Sequence, residues 1–231
     1  MPRVNRRYAC WGLFHDWDDA CADFRRRAVL EIHASNQPAS APRPLEALAK
    51  QPDALVVMMN PGSSAPRPGF GSRASASQLV PTKPDAVQYR IMHVMSTVGF
   101  THVRVVNLAD VRAAKSADLY ALIDAGASRA DLGAVFAQAN AAISTDVLRA
   151  PIVICAWGLD QRLTPLAREA QAWIDAQGVA TVGWRDDDVT DSPAWRYPKP
   201  VRNWSLAREW LERVTTQITA LRASTPTPAR T

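Results

Sequence analysis

Residues 54–62 read ALVVMMNPG, and this stretch decides the fold. Ala54–Met59 is a continuous apolar run between Pro52 and the turn Asn60-Pro61-Gly62, a pattern typical of a buried strand. Three later apolar runs have the same character and predict further strands over Val103–Leu108, Pro151–Trp157 and Val179–Trp184. Strands that are apolar throughout belong to parallel sheets covered on both faces.

Helical spacing of apolar residues fills the segments between these runs. It predicts helices over residues 87–98, 117–125, 130–148 and 164–176, and a last helix capped by Ser205. Alternating strands and helices define an α/β fold. We therefore expect a three-layer α/β/α domain with a central, mainly parallel sheet of about four strands.

Two stretches rich in Pro, Ala and Ser divide the chain. The first, residues 36–44, separates an N-terminal segment from the main body, and the second, residues 63–84, interrupts that body. We expect residues 1–45 to form an extension packed on the core and residues 46–222 to form a single α/β/α domain. Residues 223–231 have the composition of a disordered tail.

Composition excludes several classes of protein. The chain has 231 residues, 47% of them hydrophobic, and no run approaches the length of about 18 apolar residues that a membrane span needs. The N-terminus lacks the apolar run of a secretory signal. Three widely spaced cysteines, Cys10, Cys21 and Cys155, fit reduced thiols better than a disulfide framework. We therefore expect a cytoplasmic protein that is neither secreted nor bound to a membrane.

The charge balance is basic. A net charge of +5 and a pI of about 9.4 favour polyanionic partners, so we expect nucleic acid or a nucleotide. The run Arg25–Arg27 is one source of this charge. A solvated arginine-rich surface explains the same numbers and stays open as an alternative.

Polar residues follow the predicted strands where their carboxyl ends meet, and ligands bind at that edge of a parallel sheet. Asn60 and Asn107 stand at two of these ends, Asp110 follows shortly after, and Trp157 ends a third strand. An asparagine amide can position a water or pair with a base edge, although it cannot accept a full proton. The alternative reading is a set of strand-ending turn residues that contribute only to stability.

The loop after Asn60 displays an aromatic side chain. Phe70 lies between Gly69 and Gly71 in the segment Ser63–Gly71. Aromatic side chains on such loops can stack on bases, although most of them pack against the protein.

Four short segments, in this order, resemble the motifs of the uracil-DNA glycosylase superfamily, most closely its mismatch-specific and single-strand-selective branches. They are VVMMNPGSSAPRPGFG at 56–71, VVNL at 105–108, ICAWG at 154–158 and YPKP at 197–200. The segments PDAVQYRIMHVM and NLADVRAAKS also resemble the bacterial family called domain of unknown function 1643. The glycosylase resemblance implies a uracil-DNA glycosylase-like α/β fold and hydrolysis of an N-glycosidic bond in DNA or in a nucleotide.

The glycosylase resemblance also implies a role for each matched residue. Asn60 would orient the attacking water, Pro61 and Gly62 would line the pocket, Phe70 would stack on the flipped base and Asn107 would read its edge. Tyr197 stands where the family commonly has a histidine, so it can donate a hydrogen bond to the leaving base but supplies no positive charge. The first motif also lacks the aspartate of the fastest branch.

Two other functions stay open. A non-catalytic protein could bind a nucleotide or nucleic acid in the same cleft, and a metal-dependent nuclease could use Asp110 with the run Asp186–Asp188. The four histidines show no HxH or HxxH spacing, so we expect no metal site. Phosphate-binding and dinucleotide-binding motifs are absent from the sequence, and we therefore expect no cofactor.

Overall fold

The computed structural model describes residues 8–20, 23–72, 75, 77–137, 143–186, 193–198 and 204–224. Its strands are β1 (Tyr8–Asp18), β2 (Asp23–Ala34), β3 (Ala54–Met58), β4 (Ala65–Pro66), β5 (Leu79–Lys83), β6 (His102–Asn107), β7 (Ile152–Ala156) and β8 (Ala180–Gly183). Its α-helices are α1 (Gln88–Val98), α2 (Ser116–Asp124), α3 (Arg129–Leu132), α4 (Thr164–Gln177) and α5 (Trp204–Ser224). None of the helices in these ranges is both long and apolar enough to span a membrane.

The strands form one mixed sheet in the order β4-β5-β1-β2-β6-β3-β7-β8. The four predicted strands are its parallel half, β6-β3-β7-β8, with β3 between β6 and β7. The α/β class is therefore confirmed, whereas the expectation of a mainly parallel sheet of about four strands is wrong. The sheet has eight strands, and β4, β5, β1 and β2 are joined in antiparallel pairs.

Two of the four added strands, β1 and β2, come from the segment that we expected to be an extension. β1 and β2 form a long hairpin, and β2 joins the parallel half through antiparallel pairing with β6, in which Leu30 lies opposite Val105. This strand is hard to recognise because Arg27 and Glu31 lie within it and are both buried. Buried charges break the apolar pattern from which a central strand is normally recognised.

Helices cover both faces of the sheet. On one side, which we call the α1/α5 face, Ile91 and Trp210 pack in the same core cluster as Val56 and Val105. On the opposite side, the α4 face, Ile174 packs in a second cluster with Val57 and other residues of the sheet. Successive residues of a strand point to opposite faces, so alternate positions of β3 and β6 share a layer.

The predicted helix over residues 130–148 is wrong. α3 ends after one turn, because Gly133 adopts a left-handed conformation with φ +63°. Short 3-10 helices follow at Val135–Ala137 and Thr145–Leu148, and residues 138–142 lie outside the described part of the chain. The apolar residues of this segment pack on the α4 face of the sheet. A segment of short, separate turns can place them there as well as a continuous helix can.

The other predicted helices are present within one or two residues. α1 ends at Gly99 with φ +78°, and α4 ends at Gly178 with φ +62°, both as left-handed caps. α5 begins at Trp204, and its last residue, Ser224, reaches into the predicted tail. Residues 225–231 lie outside the described residues, so disorder there stays a prediction.

Candidate functional site

The carboxyl ends of β3 and β6 lie side by side, as the strand-end argument requires. Met58 is paired with Asn107, and the parallel ladder continues one step further, with the Leu108 N–H 2.8 Å from the Met58 carbonyl oxygen. The Ala109 N–H also donates to Met59, at 3.1 Å. This pairing brings the Asn60 loop next to the segment from Asn107 to Asp110.

The side chain of Asn107 is fully buried and makes no hydrogen bond to the described residues. Its exposed fraction is 0%, and within the described residues neither Oδ1 nor Nδ2 of its side chain is paired. It follows Val103 and Val105 at alternate positions, so it lies on the α1/α5 face. A buried amide without a partner is costly, and such groups in native proteins call for an explanation such as a bound ligand or water.

Asn60 is also buried, but its side chain makes one hydrogen bond. Its Nδ2 donates to the Ala113 carbonyl oxygen at 2.8 Å, which holds the loop after β3 against the segment after β6. This bond uses one amide hydrogen and leaves Oδ1 as the acceptor of the side chain.

Asp85 is a residue of this region that the sequence argument missed. Gly62 has φ +63°, and a Cβ at that position would lie 2.5 Å from Asp85 Oδ2, so only glycine fits there. The other oxygen, Oδ1, accepts the backbone N–H groups of Val87 and Gln88 at 2.8 and 3.1 Å. The Gln88 side chain accepts in return from the Asp85 N–H, at 2.8 Å. The spacing Asp-x-x-Gln is a recognisable capping box, but nothing in the sequence ties it to Gly62.

Asp110 is buried beside a histidine from β1. His15 Nε2 lies 3.6 Å from Asp110 Oδ2, and Oδ1 of Asp110 has no partner within the described residues. Burial raises the pKa of Asp110 to about 6, although His15 and the charges of Arg27 and Arg26 oppose this rise. The carboxyl group therefore changes its charge near neutral pH. Sequence reasoning missed His15 because only the fold brings β1 near the end of β6.

Arg27 is the third residue of this region that sequence reasoning missed. It lies within the run Arg25–Arg27, for which a solvated surface was the alternative explanation, yet its side chain is 0% exposed. Its backbone N–H donates to the Asp110 carbonyl oxygen at 2.9 Å, which fixes β2 beside the segment after Asn107. Burial lowers the pKa of Arg27 to about 10, and the nearby charges of Asp85 and Asp110 act in the opposite direction.

Tyr197 also belongs to this region. Burial, followed by the charge of Asp85, raises the pKa of its hydroxyl, so the group stays protonated and can donate a hydrogen bond. It lines a cavity of about 150 Å³ together with Gly158, Leu159, Trp184, Arg196 and Leu206. Lys199 and Pro200 of the same motif lie outside the described residues.

Two predicted site residues lie elsewhere. Phe70 is partly buried against the cluster of Phe14, Phe24 and Val80, next to the β1–β2 hairpin. Trp157 is buried in the cluster of the α4 face, and its Nε1 donates to the Pro193 carbonyl oxygen at 2.7 Å. Trp157 therefore lies on the opposite side of the sheet from Asn107. Stacking of Phe70 on a base stays a prediction.

The carboxylates of the nuclease alternative do not come together in the described residues. Asp186 is paired with Arg196, with Oδ2 and Nη2 2.9 Å apart. Asp187 and Asp188 lie outside the described part of the chain.

A cluster at the other end of the sheet has the residue types of a metal site. One ligand atom from each of Glu31, His33 and His102 lies within 4.8 Å of the others, and the two imidazole rings stack 4.0 Å apart. The alternation Glu-x-His on β2 was its sequence signal, and the search for paired histidines missed it. Arg104 neutralises the carboxylate, with Nε 2.6 Å from Glu31 Oε1, and Arg43 Nη1 lies 3.4 Å from His33 Nε2. Two guanidinium groups oppose a cation here, so the cluster is an ion-pair network.

These features define an α/β protein with a buried polar site at the carboxyl ends of neighbouring strands. Residues 73–190 match the family model described as Protein of unknown function (DUF1643), and the chain belongs to this family. No curated protein and no solved structure matches the chain. The resemblance to domain of unknown function 1643 is thus confirmed, and the resemblance to uracil-DNA glycosylases stays a prediction.

Proposed function

We propose that this protein hydrolyses the N-glycosidic bond of a nucleotide, as its resemblance to the uracil-DNA glycosylase superfamily implies. The observation that carries the proposal is the buried amide of Asn107 beside the Asn60 loop, which finds no hydrogen-bond partner in the part of the chain that the structure describes. An asparagine side chain presents a donor and an acceptor together, and base edges present the complementary pair. A flipped or free base would satisfy this amide in a site from which water is largely excluded.

Asn60 and Asp110 supply the groups that hydrolysis needs. The hydrogen bond to Ala113 orients the Asn60 amide, so its Oδ1 can accept from a water molecule and position it. Asparagine cannot take the proton, but Asp110 can, because its pKa of about 6 makes it a carboxylate at neutral pH. A carboxylate near the sugar also favours the positive charge that develops when the glycosidic bond breaks.

Tyr197 is the donor that we assign to the leaving base. Its hydroxyl stays protonated at neutral pH because burial raises its pKa. A neutral phenol stabilises a departing anionic base less than a protonated histidine does, so we expect slow turnover.

A second candidate function is nucleotide binding without hydrolysis. The hydrogen bond from Asn60 to Ala113 is also one that a purely structural turn residue makes, and this observation favours the second candidate. The two functions share the Asn107 site and differ in whether a base is released.

The deciding experiment measures release of a free base. The full chain is incubated with oligonucleotides that carry uracil, mismatched thymine or hypoxanthine, and with free nucleotides, with EDTA present. Released bases are detected by chromatography, and abasic sites by alkali cleavage. Hydrolysis predicts base release that persists in EDTA, whereas a metal-dependent nuclease would lose its activity there.

Two variants test the assignment of residues. Asn60→Ala should abolish base release and leave binding largely intact, because positioning a water acts in the transition state. Asn107→Ala should relax the choice of base. Asn36→Ala, at an exposed position, is the matched control. Binding without release in the wild type would favour the second candidate, and no binding of any nucleotide would overturn both.

A further inference from the structure

Arg27 is a buried cation whose side-chain donors find no acceptor among the described residues. Its side chain is 0% exposed, and Nε, Nη1 and Nη2 have no hydrogen-bond partner within the described residues. A guanidinium has five N–H donors and stays charged in proteins, so leaving all of them unpaired in the interior is strongly unfavourable.

Arg104 shows what a structural arginine looks like in the same molecule. It is 1% exposed and lies on β6, next to the strand of Arg27. Its Nε donates to Glu31 at 2.6 Å, and its Nη2 donates to the carbonyl oxygens of Leu48 and Lys50 at 3.0 and 3.1 Å. The protein therefore supplies acceptors for the guanidinium of Arg104, whereas the described residues supply none for that of Arg27.

The carboxylates near Arg27 have other roles. Asp85 caps α1 through Oδ1, and Asp110 lies against His15. Both act on Arg27 electrostatically, but neither forms an ion pair with it in the described residues. They hold a charged guanidinium in place without filling its donor positions.

Asn107 is the second buried polar side chain without a hydrogen-bond partner among the described residues, and it lies on the strand next to that of Arg27. β2 and β6 are paired, and the Arg27 N–H is bonded to the carbonyl oxygen of Asp110, three residues after Asn107. Two unpartnered, fully buried polar side chains on neighbouring strands are accounted for together by one ligand that bears an anionic group and a base.

We propose that Arg27 binds the phosphate of a small nucleotide whose base is held by Asn107, so that the ligand is a free nucleoside monophosphate. This inference rests on the proposed function and names its substrate class. Arg27 and Asn107 are both 0% exposed, and a free monophosphate can be enclosed at such buried groups, whereas a phosphate within a nucleic-acid chain is esterified on both sides and keeps its chain on the protein surface. Planar guanidinium groups bind phosphate through two parallel hydrogen bonds.

The test compares binding of four probes to the full chain by calorimetry and thermal shift. The probes are a nucleoside monophosphate, the corresponding nucleoside, inorganic phosphate and a short single-stranded oligonucleotide of the same base. The monophosphate should bind about 10- to 100-fold more tightly than the nucleoside, as expected for hydrogen bonds to a charged group. It should also bind more tightly than phosphate or the oligonucleotide.

Arg27→Gln should remove the preference for the monophosphate and keep the affinity for the nucleoside. Arg27→Lys keeps a charge but loses the forked geometry, so it should retain part of the preference, and it serves if the glutamine variant does not fold. Arg208→Gln is the matched control, because Arg208 is an exposed arginine of α5 and should leave every affinity unchanged.

Equal binding of nucleoside and monophosphate by the wild type would overturn the inference, and so would tighter binding of the oligonucleotide or of phosphate alone. Preference for the monophosphate that depends on Arg27, without release of a base, would support this inference and contradict hydrolysis. The two proposals therefore fail separately.

Discussion

At the scale of single residues, we expect Asn107 to matter for nucleotide binding and to contribute little to the free energy of unfolding. Its amide has no partner within the described residues, so replacement by an apolar side chain of similar size removes an unsatisfied group. We expect Asn107→Leu to leave the free energy of unfolding unchanged or to raise it by about 1 kcal/mol, and to abolish nucleotide binding. Urea denaturation and calorimetry measure the two effects. A loss of stability above about 1 kcal/mol would mean that the amide has a structural partner.

A second prediction at the scale of single residues concerns Asp110 and the pH dependence of the free energy of unfolding. Its pKa is raised to about 6 by burial, so its contribution to stability is fully present below its unfolded-state pKa and is lost as the pH rises through 6. Asp110→Asn should remove this loss. The difference in free energy of unfolding, variant minus wild type, should therefore rise by about 3 kcal/mol from pH 4 to pH 8. Denaturant titrations across this range test it. Asp118→Asn, at an exposed position, should show no such trend.

Three of the residues that sequence reasoning found in the site lie at or just after the ends of apolar strands. Asn107 ends β6, Asn60 and Asp110 follow soon after such strands, and the meeting of parallel strand ends is a local rule. Tyr197 was found through the family resemblance. Arg27 and His15 were missed because they enter through β2 and β1, which pair with the rest only by contacts distant in sequence. A buried charge in a strand is indistinguishable from a surface charge until its neighbours are known.

At the scale of secondary structure, the four parallel strands and all but one of the predicted helices are present, whereas the four antiparallel strands were not predicted. The four parallel strands are short and apolar throughout, so their pattern has few alternatives. The segment over residues 130–148 has helical spacing, but Gly133 stops α3 after one turn. Spacing records which side chains are buried and does not record a break in the backbone.

The close approach of Gly62, after β3, to Asp85, before α1, gives an element-scale prediction. Gly62 and Gly178 have nearly the same φ, +63° and +62°, but a Cβ at Gly62 would lie 2.5 Å from Asp85 whereas a Cβ at Gly178 meets nothing within 4 Å. Gly178→Ala should cost only the left-handed conformation, about 1–2 kcal/mol. Gly62→Ala should cost about 1 kcal/mol more, because it displaces the carboxylate that caps α1.

Urea denaturation compares the two alanine variants, and ligand binding should fall only in Gly62→Ala. Equal losses of stability in both variants, with binding unchanged, would separate the Asp85 cap from the site.

At the scale of the whole molecule, the two ends of the sheet differ: we propose that one end binds a nucleotide, and the other end carries a buried ion-pair network. The ion-pair network of Glu31, His33, His102 and Arg104 lies where β2 meets β6, and Arg104 also donates to the carbonyl oxygens of Leu48 and Lys50. It therefore links the antiparallel and parallel halves of the sheet to the segment before β3. Its buried donors are largely satisfied, in contrast to those at the opposite end.

This division predicts how the molecule unfolds when the network is broken. Arg104→Met removes the guanidinium partner of the buried Glu31 carboxylate and leaves it with His102 and His33 alone, so it should cost about 3–5 kcal/mol. The double variant Glu31→Gln with Arg104→Met should cost less than the sum of the single variants, because it removes both charges. Urea denaturation of the three variants measures this coupling.

The loss of stability at acid pH should depend on the same ion-pair network. Burial alone would raise the pKa of Glu31, but hydrogen bonds from His102, His33 and Arg104 outweigh it and hold the pKa well below its usual range. The stability that this carboxylate contributes is therefore present above its unfolded-state pKa, about 4.3, and is lost as the pH falls toward its folded-state value. Arg104→Met should weaken this loss below pH 4, whereas Arg208→Met, at an exposed position, should retain the wild-type profile. If both variants kept the wild-type acid profile, Arg104 would not be what holds Glu31 ionised, and the hydrogen bonds from His102 and His33 would account for its low pKa.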